Sequence, residues 1–161
     1  MCHRRIAWSS LLPSLVLGFV LAVGAAPLRA DFEDGLAAYD AGDFTAAAEA
    51  WRPLAAAGDV EAQVALADLY TSGLGVPTDP TEAARLYRAA AEQGDAVAQL
   101  NLGDLYSRGV GVPRDLVQAY LWLSLAAEQG RNWARNKRDE IAERLTAGQR
   151  AEADRLLAER R

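Results

Sequence analysis

Carboxylates and hydroxyls carry most of the chemistry this sequence could do. Asp68 and Asp104 stand 36 residues apart; each has an apolar residue four places earlier (Val64, Leu100) and a hydroxyl three places later (Thr71, Ser107). On a helix those spacings place Val64, Asp68 and Thr71 on one stripe, and Leu100, Asp104 and Ser107 on its copy. An acid beside an apolar residue, repeated one unit on, would suit a basic amphipathic segment of a protein partner. The plainer reading is a solvated face whose acids were copied by duplication, and for the acids the usual exposure of charged residues favours it. No two acids pair as a general acid and base outside such faces, so no catalytic residue is assigned. Cys2 and His3 are the only Cys and His. Neither a metal site nor a cofactor site is expected.

Two further groups look chemical and read as structural. Tyr70 and Tyr106 could donate to a ligand, but their placement fits core residues with a satisfied hydroxyl. Gly73-Leu74-Gly75-Val76-Pro77 and Gly109-Val110-Gly111-Val112-Pro113 resemble a phosphate cradle only superficially, since no strand precedes them and no Lys follows.

What positions these residues is a repeat with a period of 36, which carries Gly58-Asp59 to Gly94-Asp95 and Leu69-Tyr70 to Leu105-Tyr106. Residues 59–94 and 95–130 each read as a pair of helices. Asp59 or Asp95 caps helix A, whose inward stripe is Ala62, Leu66, Leu69, Tyr70 or Ala98, Leu102, Leu105, Tyr106. Gly73 and Gly109 end helix A, Gly75 and Gly111 bend the loop again, and Pro77 and Pro113 stiffen its exit. Val76 and Val112 are expected to tuck back onto the core. Asp79-Pro80-Thr81-Glu82 has the composition of a full capping box, and Asp115 with Gln118 is its plainer copy. Helix B then buries Ala83, Leu86, Tyr87, Ala90 and Ala119, Trp122, Leu123, Ala126. Gly103, in place of Ala67, implies close approach of a neighbouring helix. Residues 31–58 form a shorter first unit, with a helix at 31–39 presenting Phe32, Leu36 and Tyr39, and a second helix in which Pro53 should kink or break a turn. Residues 131–161 read as a capping helix pair, started by Asn132 and by the box Thr146-Ala147-Gly148-Gln149. The fold class is all-α: a superhelical solenoid of antiparallel helix pairs, about eight helices in total.

Residues 1–30 read differently. Arg4 and Arg5 precede an uncharged run from Leu11 to Ala26, and Leu28-Arg29-Ala30 precedes acidic Asp31, the layout of a signal peptide cut between Ala30 and Asp31. An uncleaved anchor is the competing reading. Either places the repeats outside the cytoplasm, in the periplasm or secreted, with no stable membrane span once the signal is cut. The whole chain holds 17 basic and 22 acidic residues; without residues 1–30 there are 14 and 22, a net of −8. That balance argues against nucleic acid as partner. The charge is uneven: residues 31–104 carry −11 and residues 105–161 carry +3.

Paired helices joined by Gly-x-Gly-Val-Pro-x-Asp, with Ala-Gln and Leu-x-x-Leu-Tyr before and Ala-Ala-Glu-Gln-Gly after, resemble the Sel-one-like repeat (SLR) family of the tetratricopeptide-like superfamily. The matching text runs from Ala62-Gln63 to Gly94 and from Ala98-Gln99 to Gly130. The resemblance implies an α/α superhelix that holds other proteins together, with stacked helices A lining the concave side, and an exported bacterial member. Some relatives staple each repeat with a disulfide; this chain, with one cysteine, cannot. The function expected is a non-enzymatic protein–protein interaction scaffold or adaptor of the cell envelope. The alternatives are a self-assembling structural subunit, so that an oligomer is possible, and a carboxylate-based hydrolase.

Overall fold

The computed structural model describes the backbone from Leu28 to Arg161 and the side chains from Phe32 onward. Its eight helices are α1 (Leu28–Asp40), α2 (Phe44–Ala56), α3 (Val60–Ser72), α4 (Pro80–Glu92), α5 (Ala96–Arg108), α6 (Leu116–Glu128), α7 (Asn132–Ala142) and α8 (Ala147–Glu159). Among the described residues there is no strand. The export signal read in residues 1–30 lies outside the described residues, except for the backbone of Leu28–Ala30 in the first turn of α1. No described helix is long and apolar enough to cross a membrane.

Caps decide where the helices begin. The Asp59 and Asp95 carboxylates accept from the Ala62 and Ala98 N–H groups at 2.8 and 2.7 Å. Asp79 takes two donors, the N–H groups of Thr81 and Glu82, each at 3.0 Å. Asp115 does the same for Val117 and Gln118, at 2.9 and 3.0 Å. Each bond satisfies a donor that the first helical turn leaves without a partner. At the other end, Gly73 and Gly109 take the left-handed conformation, φ 74° and 70°, and return their N–H groups to Leu69 and Leu105.

Three local expectations need correction. Glu82 does not complete a capping box on Asp79, because Arg85 holds it through two bonds of 2.8 and 2.6 Å. The reciprocal box does form at Thr146 and Gln149. Asn132 is the first residue of α7 and not its cap; Arg131 occupies the cap position and makes no side-chain cap bond. Finally, α2 runs unbroken through Pro53. Pro53 and Glu49 are exposed, so water can serve the Glu49 carbonyl that proline leaves without a donor, while buried Trp51 and Leu54 hold the helix in place.

Each helix packs on the next, from α1 to α7, and α8 folds back onto α6. That nearest-neighbour pattern is what a stacked array requires. The main core draws on Trp51, Leu54, Leu66, Leu69, Leu86 and Tyr87, and a second cluster joins Leu123 and Ala126 to Ile141 and Ala153. The helix-B residues expected inside are all buried. Val76 is buried, and half-buried Val112 packs against the same core. Gly103 behaves as expected, since a Cβ there would stand 2.7 Å from Leu123 Cγ. A methyl at that place would push α5 and α6 apart. Some large apolar side chains stay in contact with solvent: Trp133 of α7 is 50% exposed, and Leu36 and Tyr39 of α1 are also exposed.

Candidate functional site

The first helices of the three units, α1, α3 and α5, frame a groove of about 460 Å³. Its apolar floor is Phe32, Val64, Ala65 and Val97; its polar edge is Glu33, Glu61, Asp68 and Asp95. No lysine or arginine lines it. Phe32 is fixed by stacking on Trp51, with ring centroids 5.6 Å apart, and its carbonyl accepts from Trp51 Nε1 at 3.2 Å. Trp51 fits beneath α1 because residue 35 is glycine: a Cβ there would lie 2.6 Å from the indole Cδ1.

Asp68 is the most constrained acid of the groove. The Tyr87 hydroxyl, projecting from α4, donates to its Oδ1. Although Asp68 is exposed as a residue, partial desolvation of its carboxyl raises the pKa above its ordinary value, and the tyrosine bond opposes that rise only in part. Tyr87 itself is pushed up, first by burial and then by the neighbouring carboxylate. Asp95 is partly committed as the cap of α5.

The six residues of the expected partner face are not brought together in one recess. Val64 and Asp68 line the groove; Thr71, Leu100, Asp104 and Ser107 do not. Thr71 donates its hydroxyl to the Ala67 carbonyl at 2.8 Å. Leu100 is half-buried against the second core cluster. Asp104 pairs with Arg108 at 3.0 Å, one turn along its own helix. Ser107 is only 8% exposed and donates to the Asp104 carbonyl at 2.8 Å, so it presents no surface to a partner. Asp68 and Asp104 diverge because the residue facing them changes: Tyr87 in one unit is Leu123 in the next. Glu33, Glu61 and Asp95 were not singled out as site residues. The one trace of them in the sequence is the charge of −11 over residues 31–104.

The loop glycines have a structural role more specific than bending. Gly75 and Gly111 both have φ 69°. A Cβ on Gly75 would overlap the Phe44 carbonyl at the start of α2, and one on Gly111 would overlap the Pro80 carbonyl at the start of α4. Each inner loop therefore lies backbone to backbone on the second helix of the preceding unit. Thr45 reinforces the first contact by donating Oγ1 to the Gly75 carbonyl at 3.3 Å. The tyrosines sit close to expectation: Tyr70 and Tyr106 are half-buried and pack against the main core, and the Tyr106 hydroxyl accepts from Arg88 at 2.6 Å.

A further polar device has no local signal in the sequence. Gln63 and Gln99 are 5% and 4% exposed, and their amides donate to the carbonyls of Ala55 and Ala91 at 3.2 and 3.3 Å. Their own oxygens accept from Gln93 and Gln129, which end the following helices. Among the described residues no cluster of three or more His, Cys, Asp or Glu is placed to hold a metal ion.

A family model described as Sel1 repeat matches residues 60–95 and 96–130. Among solved structures, the chain is similar to a protective antigen present in uropathogenic Escherichia coli strains that displays an SLR fold. The TM-score is 0.77 and the identity 33%, over 83% of this chain but only 30% of that one. It is also similar to a Sel1 repeat protein from Oxalobacter formigenes, with TM-score 0.65 and 32% identity over 70% of this chain and 88% of that one. No curated protein sequence matches it.

Proposed function

The chain belongs to the Sel1 repeat family, and from that premise we propose that it is a non-enzymatic scaffold that grips a basic amphipathic segment of a protein partner in the groove of α1, α3 and α5. The observation that carries this reading is the groove's composition: Phe32, Val64, Ala65 and Val97 beside Glu33, Glu61, Asp68 and Asp95, with no cation among them. Apolar floor and acidic edge together match a helix or extended strand with alternating basic and apolar residues. The carboxylates would steer such a segment toward the groove, and the apolar contacts would hold it.

The place of action proposed is the bacterial envelope, periplasmic or secreted. Support comes from the basic start at Arg4-Arg5 and the uncharged run Leu11–Ala26. The structural-subunit alternative also rests on charge. Residues 105–161 carry +3, which gives the basic C-terminal helices of a second copy the charge to occupy the same acidic groove.

A photo-cross-linking residue at Val64 tests the reading in the native envelope. One discrete adduct is expected, lost when Glu33 and Glu61 are both changed to Lys and never formed from the same cross-linker at Arg85. Equal adducts from both positions, or none at Val64, would remove the groove from the binding role. An adduct with the mass of a dimer would assign the groove to self-assembly instead.

A further inference from the structure

A second recess of about 520 Å³ lies between α4 and α6 and beside the end of α8. Arg88, Arg114 and Arg160 line it, with Tyr106 and Trp122. None of the three arginines makes an ion pair among the described residues, whereas Arg85, Arg108, Arg150, Arg155 and Arg161 all do. Neutral groups hold the three instead. Arg88 donates to the Tyr106 hydroxyl at 2.6 Å. Arg114 Nε donates to the Ser107 carbonyl at 3.1 Å. The Arg160 guanidinium lies 4.5 Å from the centroid of the Trp122 ring.

A guanidinium has five N–H donors, so one bond to a phenol or a carbonyl fixes its position while leaving most donors and all of its charge unmet. Two carboxylates share the recess. The Asp115 Oδ1 is already engaged by the N–H groups of Val117 and Gln118. Glu92 approaches none of the three arginines within ion-pair distance. Trp122 adds a further unmet donor: it is 2% exposed, and its indole N–H has no hydrogen-bond partner among the described residues.

The repeat supplies an internal control. One unit earlier, the places of Arg114, Gln118 and Trp122 hold Thr78, Glu82 and Leu86, although Arg52 and Tyr70 stand where Arg88 and Tyr106 do. There the cation Arg85 is met by the Glu82 carboxylate. The later unit thus has Gln118 for Glu82 and gains Arg114 and an indole, while Leu121 takes the place of Arg85 and Glu92 that of Ala56.

We propose that the recess bounded by Arg88, Arg114, Arg160 and Trp122 binds an oxyanion, a carboxylate or phosphoryl group, in the fork of the arginines. The site is independent of the acidic groove and shares no residue with it. Its volume falls in the range of ~300–1,000 Å³ usual for small-ligand pockets, so the anion would be carried on a small molecule.

The test is a titration of the purified full-length chain, at constant ionic strength, with inorganic phosphate and separately with glutarate. The indole N–H resonance of Trp122, assigned with W122F, is followed by ¹H–¹⁵N NMR. A saturable shift is expected with at least one probe. R88Q and R114Q should each weaken that binding about tenfold, as loss of a charge-assisted fork implies, and R52Q should leave it unchanged. Saturation by phosphate alone assigns the phosphoryl class, and by glutarate alone the carboxylate class. Thermal unfolding of each variant establishes that it is folded. R114K keeps the charge without the fork and should bind between wild type and R114Q. No saturable shift with either probe, or a loss in R52Q equal to that in R88Q and R114Q, would overturn the assignment.

Discussion

The Gln93 side-chain amide donates to Gln63 Oε1 at 3.0 Å, and one unit later Gln129 donates to Gln99 Oε1 at 2.9 Å. Each clasp is extended on both sides. Gln93 also donates to the Gly58 carbonyl, and Gln63 to the Ala55 carbonyl, both at 3.2 Å. Three consecutive helices, α2, α3 and α4, are thus tied at one end by two amides. Where disulfides are absent, these hydrogen bonds hold the junction between units.

Gln63→Ala should therefore cost more than a surface substitution. It removes two hydrogen bonds of a buried side chain, a loss of about 1–3 kcal/mol, although the Ala55 carbonyl keeps the Gly58 N–H and the Gln93 amide keeps the Gly58 and Ala89 carbonyls. Urea unfolding at neutral pH measures it. A change below about 0.5 kcal/mol, the scatter expected for surface positions, would mean that water replaces the clasp without loss.

Gly111→Ala should be among the most damaging single changes in the chain. The residue has φ 69°, and a Cβ would overlap the Pro80 carbonyl. Strain and backbone displacement together should exceed about 2 kcal/mol. Gly148→Ala is the matched control, since nothing lies within 4 Å of the added Cβ and the site is in α8. It should stabilise by about 0.5–1 kcal/mol. Thermal melts of the pair give the answer, and equal melting temperatures would contradict the docking role of the loop.

Asp68→Asn should change how stability depends on pH. The folded-state pKa of Asp68 lies above its ordinary value of 3.8, so the fold favours the protonated form. Its contribution is present in full below pH 3.8 and is lost as pH rises through the raised value. Asparagine still accepts from Tyr87 and does not titrate. The stability of the variant relative to wild type should rise from pH 3.8 toward neutrality and stay level below it. Denaturant unfolding across that pH range would show it; a flat difference, or a fall, would contradict the direction assigned to Asp68.

Binding in the acidic groove should weaken with salt. Glu33 and Glu61 are exposed, so their pull on a basic segment is screened over about 10 Å at 0.1 M ionic strength. Fluorescence anisotropy with a labelled basic amphipathic peptide should show affinity falling as NaCl rises, with a smaller slope in the variant carrying Glu33→Lys and Glu61→Lys. A slope unchanged by those substitutions would place the peptide elsewhere.

Sequence and structure agree where the signal is local. The caps at Asp59, Asp79, Asp95 and Asp115, the left-handed ends at Gly73 and Gly109, and the box at Thr146 each need only their own four or five residues. Gly103 was legible because a helical glycine requires a reason, and Leu123 supplies it. What did not show depends on residues brought together by stacking. Asp68 and Asp104 hold equivalent places but differ in what stands opposite, Tyr87 for one and Leu123 for the other, and in the residue one turn on, Ser72 for one and Arg108 for the other. Glu82 has the spacing of a capping box, yet Arg85 holds its carboxylate instead. The groove unites α1, α3 and α5, whose acids are separated by whole units. The period of 36 predicts that these helices stack, but not which side chains border the space between them.

The contact of Gly75 with Phe44, and of Gly111 with Pro80, is made by main chain on both sides. Apart from the Thr45 hydroxyl at the first, such a joint depends on no side chain that drift could lengthen, shorten or swap. The seating of one unit on the next and the chemistry of the groove are then separate inheritances: the side chains bordering the groove can change while the backbone joint stays.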